Sequence, residues 1–212
     1  VNWGVSDTVQ VVYTDVTGTS ESRSDTALAI DVATTANVQV YDNIGFTDAV
    51  DTFLTRDILY IEVADTDENR NPQTTETVSV TVYANDNDGN ALVRDTETIV
   101  LTESSASSGL FRSDTIVLTD TKVPSAGDAV ISWGLSDTLH IAYTDATDAT
   151  DIRSDTALAI VIQATGLVQF YDDAGFTDDV DTYLPRNDVV YIQVSDTDEN
   201  RAPESKNTVL VT

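Results

Sequence analysis

Neither cysteine nor methionine occurs in the 212 residues; lysine occurs only at Lys122 and Lys206, and histidine only at His140. Without cysteine there is no disulfide framework, thiol nucleophile, zinc finger or iron–sulfur ligand set. A single histidine rules out a multi-histidine metal centre and confines any intrachain Ser-His-Asp triad to its surroundings. Lys and Arg total 10 against 37 Asp and Glu, for a formal charge of −27. Phosphate backbones are bound mainly through Lys and Arg, so nucleic acid is excluded as a partner. No run of about 18 apolar residues exists, hence no membrane span is expected. No basic stretch followed by an apolar one is present, so an export signal is expected to lie outside these residues.

What the chain does hold is a repeat. Trp3-Gly4 returns as Trp133-Gly134, and Arg23 to Ile30 (RSDTALAI) returns unchanged as Arg153 to Ile160. Gly45-Phe46-Thr47-Asp48 returns as Gly175-Phe176-Thr177-Asp178, and Asp65 to Arg70 (DTDENR) as Asp196 to Arg201. The offset is 130 up to Arg56 and Arg186, then 131 after an insertion at Asn187. Aligning residues 1–81 with 131–212, 46 of 81 pairs are identical. The unit is therefore about 130 residues, and such internal periods are the signature of arrays. The other explanation is an old duplication in a two-domain protein.

The hydrophobic share of 41% suffices for a buried core despite the charge. Runs rich in Val, Ile, Thr and Tyr predict strands at Thr8–Thr14, Ala27–Ala33, Val38–Tyr41, Ile58–Val63, Thr77–Tyr83, Thr98–Thr102, Gly109–Leu118 and Thr138–Thr144. Clusters of Asp, Asn, Gly, Ser and Pro separate them, and no segment has a helical stripe with caps. Short strands with one apolar face close as packed sheets. The expected fold class is all-β: tandem immunoglobulin-like antiparallel β-sandwich repeats. The expected division places a closing strand of a preceding repeat at 1–21, a complete repeat at 22–150 and the opening half of another at 151–212. A second division, with a domain at 1–82 copied at 131–212, stays open.

Two stretches carry a family likeness. One runs from Ser6-Asp7-Thr8 to Tyr13-Thr14-Asp15, then through Tyr60-Ile61-Glu62-Val63 to Asp65-Thr66-Asp67-Glu68-Asn69. The other runs from Thr96-Glu97-Thr98 to Glu103 and on to Ser108-Gly109-Leu110-Phe111. Together they resemble the tandem β-sandwich repeats of very large secreted prokaryotic surface proteins, of the adhesin and surface-fibre kind. The resemblance implies an extracellular or cell-surface location, a spacer role, frequent stiffening by calcium, and no enzyme activity.

The sharpest local motif is Asp65-x-Asp67-x-Asn69, copied as Asp196-x-Asp198-x-Asn200. Calcium takes six to eight oxygen ligands, and alternate Asp and Asn side chains in a loop can converge on it. The loop is no EF-hand: Arg70 and Arg201 stand where that motif needs glycine, and Glu76 at position twelve becomes Asn207 in the second copy. A turn in which these side chains bond their own backbone is the competing reading. Asn85 to Asn90 offers a second candidate through Asp86, Asp88 and Asn90, against a plain Asp88-Gly89 hairpin turn. Asp15 and Asp145, each after Tyr-Thr, are further ligand candidates at a junction. His140 replaces Gln10 of the first copy, so it is expected to face outward from its strand. Trp3 and Trp133 are expected in core or junction packing.

The expected function is therefore a structural module of an extracellular fibre, filament or adhesin stalk. Its expected partners are copies of itself or neighbouring repeats, joined head to tail. A carbohydrate- or cell-binding β-sandwich is the rival, but it would call for aromatic loops that differ between copies. A surface-layer protein of a high-salt organism is another, because salt screens the self-repulsion of so acidic a chain. Catalysis is not expected: no aromatic platform or basic clamp accompanies the acids.

Overall fold

A computed structural model describes residues 7–17, 21–30, 33–87, 92–161, 164–184, 188–200 and 206–212. The described residues form strands, turns and loops with no helix, so the chain is all-β. The strands are β1 (Thr8–Thr14), β2 (Ser22–Leu28), β3 (Asn37–Tyr41), β4 (Thr52–Leu54), β5 (Ile58–Ala64), β6 (Thr77–Asn85) and β7 (Val93–Glu103). There follow β8 (Leu110–Arg112), β9 (Ile116–Thr119), β10 (Val130–Ser132), β11 (Thr138–Thr144), β12 (Ile152–Ile160), β13 (Leu167–Tyr171) and β14 (Tyr191–Ser195). Trp3, Asp88, Asn90 and Arg201 lie outside the described residues. None of the helices needed to cross a membrane is present among the described residues.

Strands β3 to β12 share one sheet in the order β10-β9-β5-β8-β7-β6-β11-β12-β4, with β3 also pairing β5. Alternation sets its inner face. In β6, Val78, Val80, Val82 and Ala84 point inward while Thr77, Ser79 and Thr81 point out. Ile99 and Leu101 of β7 and Leu139, Ile141 and Tyr143 of β11 extend the same apolar surface. Residues of β3 through β12 meet in one cluster, so the sheet curls around a single core. Trp133, just after β10, lies in it, and its indole Nε1 donates to the Thr55 carbonyl at 3.2 Å. His140 lies on the opposite face of β11, its ring stacked on Tyr83 with centroids 4.8 Å apart.

Two expectations are corrected. The pairing is not antiparallel throughout: β9 runs parallel to β10, and β4 parallel to β12. Periodicity decides which face a residue takes, not which strand lies beside it. The strand expected at Ala27–Ala33 begins and ends earlier, at Ser22–Leu28, and its copy Ile152–Ile160 is nine residues long. The expected divisions at 21/22 and 150/151 lie between paired strands, since β1 pairs β2 and β11 pairs β12.

The two sequence copies pair in matching registers. Thr8↔Leu28 through Thr14↔Ser22 in β1–β2 corresponds to Thr138↔Leu158 through Thr144↔Ile152 in β11–β12. Likewise Asn37↔Ala64 in β3–β5 corresponds to Leu167↔Ser195 in β13–β14. Even a strained residue is reproduced: Phe46 and Phe176 sit at φ of 52° and 56°. That conformation costs an L-residue roughly 1–2 kcal/mol. Edge-to-face contacts offset it, from Phe46 to Tyr41 and Tyr60 and from Phe176 to Tyr171 and Tyr191.

Candidate metal centre

The apolar run of β5 ends at Ala64, and the chain turns at once into Asp65-Thr66-Asp67-Glu68-Asn69. The Asn69 amide donates to the Thr66 carbonyl (3.3 Å), closing the turn, and the Asp65 amide donates to the Gly109 carbonyl (2.8 Å). Gly109 has a φ of +60°, and a Cβ there would lie 3.0 Å from the Asp65 carbonyl oxygen. Only glycine lets the 104–109 loop press this closely on the acidic turn.

Eighty residues later, the hairpin β11–β12 brings a third carboxylate. One oxygen from each of Asp65, Asp67 and Asp145 lies within 4.8 Å of the others. Two oxygens bound to one calcium ion at about 2.4 Å are at most about 4.8 Å apart, so the group fits one cation. The outer oxygens are held in place. Tyr143 donates its hydroxyl to Asp65 Oδ2 at 2.6 Å. Thr34 donates its amide and hydroxyl to Asp67 at 3.1 and 2.6 Å. Thr147 donates its amide and hydroxyl to Asp145 Oδ1 at 2.6 and 2.8 Å, and the Asp148 amide adds a third bond at 3.1 Å.

The inner oxygens are different. Asp65 and Asp145 are each 1% exposed, yet Asp65 Oδ1 and Asp145 Oδ2 have no hydrogen-bond partner, and neither does the buried Asn69 Oδ1. Buried acceptors are normally satisfied, and several elsewhere among the described residues are. Glu97 accepts from the amides of Gly127 and Ala129, Asp95 from Ser132, Glu103 from Ser108 and Gly109, and Asp137 pairs with Arg94 at 2.7 Å. Glu76, Asn85, Asp151 and Asp196 also carry an oxygen without a hydrogen bond, but those of Asp65 and Asp145 belong to the group of three carboxylates that meet. Arg70 does not neutralise them directly; it binds Glu68 at 2.8 Å.

Burial, a proton shared with Asp67, and the charges of Asp67 and Asp145 push Asp65 up to about 7, against the lowering effect of Tyr143. Burial alone would raise Asp67 too, but hydrogen bonds from Asp65 and Thr34 hold it well below the usual range. Asp145 is also lowered, because the bonds from Thr147 and Asp148 outweigh its burial. Burial and the bond to Asp65 raise Tyr143. Without a cation, the cluster thus relieves its repulsion with a proton on Asp65.

The sign of the pH effect follows. A carboxyl raised in the folded state binds a proton there that the unfolded chain has already lost. In chelator, stability should fall between pH 4 and 7 by up to about 1.4 kcal/mol per pH unit from this group. Asp67 and Asp145 act oppositely, losing stability as pH falls below the ordinary carboxylate range. Urea melts of chelated chain should therefore peak at mildly acidic pH. A flat profile from pH 4 to 8 would dismiss the shared proton.

Of the other candidates, Asp86 accepts from Arg94 at 3.0 Å and lies outside the cluster. In the second loop, Asp198 accepts from the Ala164 amide at 3.1 Å, as Asp67 does from Thr34, and Asp196 Oδ1 is without a hydrogen-bond partner. Asn200 differs from Asn69: its Oδ1 accepts from Asn207, the residue that replaces Glu76. Among the described residues no other group of three acids converges. No protein-family model matches the chain, and comparison with curated proteins finds no significant match.

Proposed function

We propose that the chain is a structural segment of an extracellular fibre or adhesin stalk, built from immunoglobulin-like β-sandwich repeats of about 130 residues, stiffened by calcium and joined head to tail. The observation that carries this reading is the cluster of Asp65, Asp67 and Asp145 with its buried, unpartnered oxygens. Its hard, oxygen-only donor set suits calcium better than a transition metal. The cluster joins a loop of the first sequence copy to a hairpin belonging to the second. A cation there would tie consecutive repeats where the sequence passes from one to the next. The identity of the two acidic loops suits a spacer, in which every unit does the same mechanical job.

In this role the residues divide the work. Asp65, Asp67, Asp145 and Asn69 would hold the ion. Thr34, Tyr143 and Thr147 orient their carboxylates, and Glu68 keeps Arg70 bound nearby. Calcium would supply the positive charge that lets all three acids ionise together. Thermal melts in calcium and in chelator, at matched ionic strength, test the proposal. The calcium form should melt higher, by about 2.7 kcal/mol of stability when calcium exceeds its Kd a hundredfold. Coincident melts would leave the acidic loop an ordinary turn.

A further inference from the structure

Hairpins β1–β2 and β11–β12 share a sequence pattern and a register, but not their surroundings. Tyr143 is 2% exposed and Tyr13 64%; Ile141 is fully buried and Val11 is 65% exposed. What covers the second hairpin is visible in this same chain. β11 lies along β6 and β12 along β4. Tyr143 donates to Asp65, Arg153 to the Ala36 carbonyl, and the Val40 amide to Asp155. These specific partners all fall within residues 36–85.

Most of that surface occurs a second time, in residues 166–212. Gly166, Phe170, Thr182 to Leu184, Asp196 and Val209 to Thr212 are the sequence counterparts of Ala36, Val40, Thr52 to Leu54, Asp65 and Val78 to Thr81. Part of this surface lines a groove of about 490 Å³, whose walls include Val168, Val194, Asp196, Val209 and Val211. The counterparts of these five residues are buried in the body formed by β3 to β12, where Tyr143 lies opposite Val80 and reaches Asp65. The hairpin side is shaped to match. Thr17 donates its amide and hydroxyl to Asp15 Oδ1 at 2.7 and 2.8 Å, as Thr147 does to Asp145. The chain thus holds one complete carboxylate cluster and, separately, both of its halves.

We propose that the β1–β2 hairpin of a second copy of this chain seats in the groove beside β13–β14, so that Asp15 joins Asp196 and Asp198 in a shared calcium site. Tyr13 then covers Val211 and brings its hydroxyl to Asp196. Arg23 meets the Gly166 carbonyl and Asp25 the Phe170 amide. Among the positions that make these contacts, Glu21 stands for Asp151, Gly166 for Ala36, Phe170 for Val40 and Ala164 for Thr34. Both faces are acidic, so the join needs the cation to form. The inference rests on the calcium reading above, and adds that the site is a joint between copies.

Sedimentation or light scattering of the full chain, over a concentration series in calcium and in chelator, tests it. The wild-type mass should climb with concentration in calcium alone. Asp15→Asn, and separately Asp196→Asn with Asp198→Asn, should each weaken self-association about tenfold or more. An equimolar mixture of the two variants should form dimers and nothing larger, because each supplies the half the other lacks. Both variants keep Asp65, Asp67 and Asp145, whose calcium binding is followed by calorimetry. Loss of binding there in the wild type overturns the calcium reading itself. Binding with a wild type that stays monomeric overturns only the joint, as do variants that assemble normally or mixtures that grow past dimers.

Discussion

Trp133→Ala should destabilise the chain by about 3–5 kcal/mol, the range for truncating a large buried aromatic. The indole is 1% exposed, so little of its volume can be refilled by solvent. It sits just after β10 and anchors that short strand, whose three residues pair only with β9. Its Nε1 bond to the Thr55 carbonyl crosses to the turn between β4 and β5, and alanine leaves that carbonyl without its donor. The loss therefore combines a cavity with an unpaired acceptor. Urea denaturation monitored by far-ultraviolet dichroism reads it directly. A change below about 1 kcal/mol would mean that Trp133 does not anchor the core.

Asp145→Asn should change sign with the buffer. In calcium it removes a charged ligand, and the variant should forfeit most of the roughly 2.7 kcal/mol that the ion supplies at a hundredfold excess. In chelator the same change removes one of the acids crowded into the cluster. Asparagine Oδ1 still accepts the Thr147 and Asp148 donors that aspartate accepts. The chelated variant should then match or exceed the wild type. Melts of both proteins in both buffers make the comparison, and the order of the two should reverse. An unchanged order would assign Asp145 to the turn alone.

The legible parts of the fold are those where local alternation decides the outcome. The run Thr77 to Tyr83 reads directly as a half-buried strand, and it extends only two residues further. Arg-Ser-Asp-Thr at 153–156 reads as turn chemistry, yet it lies in the first half of β12. There β11 on one side, with Asp155 accepting the Val40 amide, outweighs poor strand propensity. The candidate metal centre shows the same division. Asp65, Asp67 and Asn69 announce themselves by alternation within one loop. Asp145 lies 80 positions away and is delivered by tertiary pairing, although its place after Tyr-Thr in both copies marked it as a candidate. Tyr143, Thr34 and Thr147 carry no acidic signal and became visible only through the bonds they donate.

The way the chain enters and leaves the body of β3 to β12 has a mechanical consequence. Ala36, at the start of β3, bonds Asp151 at the start of β12, and Val40 bonds Asp155 four residues further along each. The two strands therefore run side by side in the same direction. Tension applied at residue 36 and residue 160 loads them in shear, because the chain comes in at one end of the pair and goes out at the other. Sliding them apart requires several bonds to fail together, whereas peeling a hairpin breaks them singly. Resistance to such a pull is set by the barrier to unfolding rather than by equilibrium stability. Asp67 and Asp151 grip the backbone at Thr34 and Ala36, so the acidic cluster stands where the load first enters.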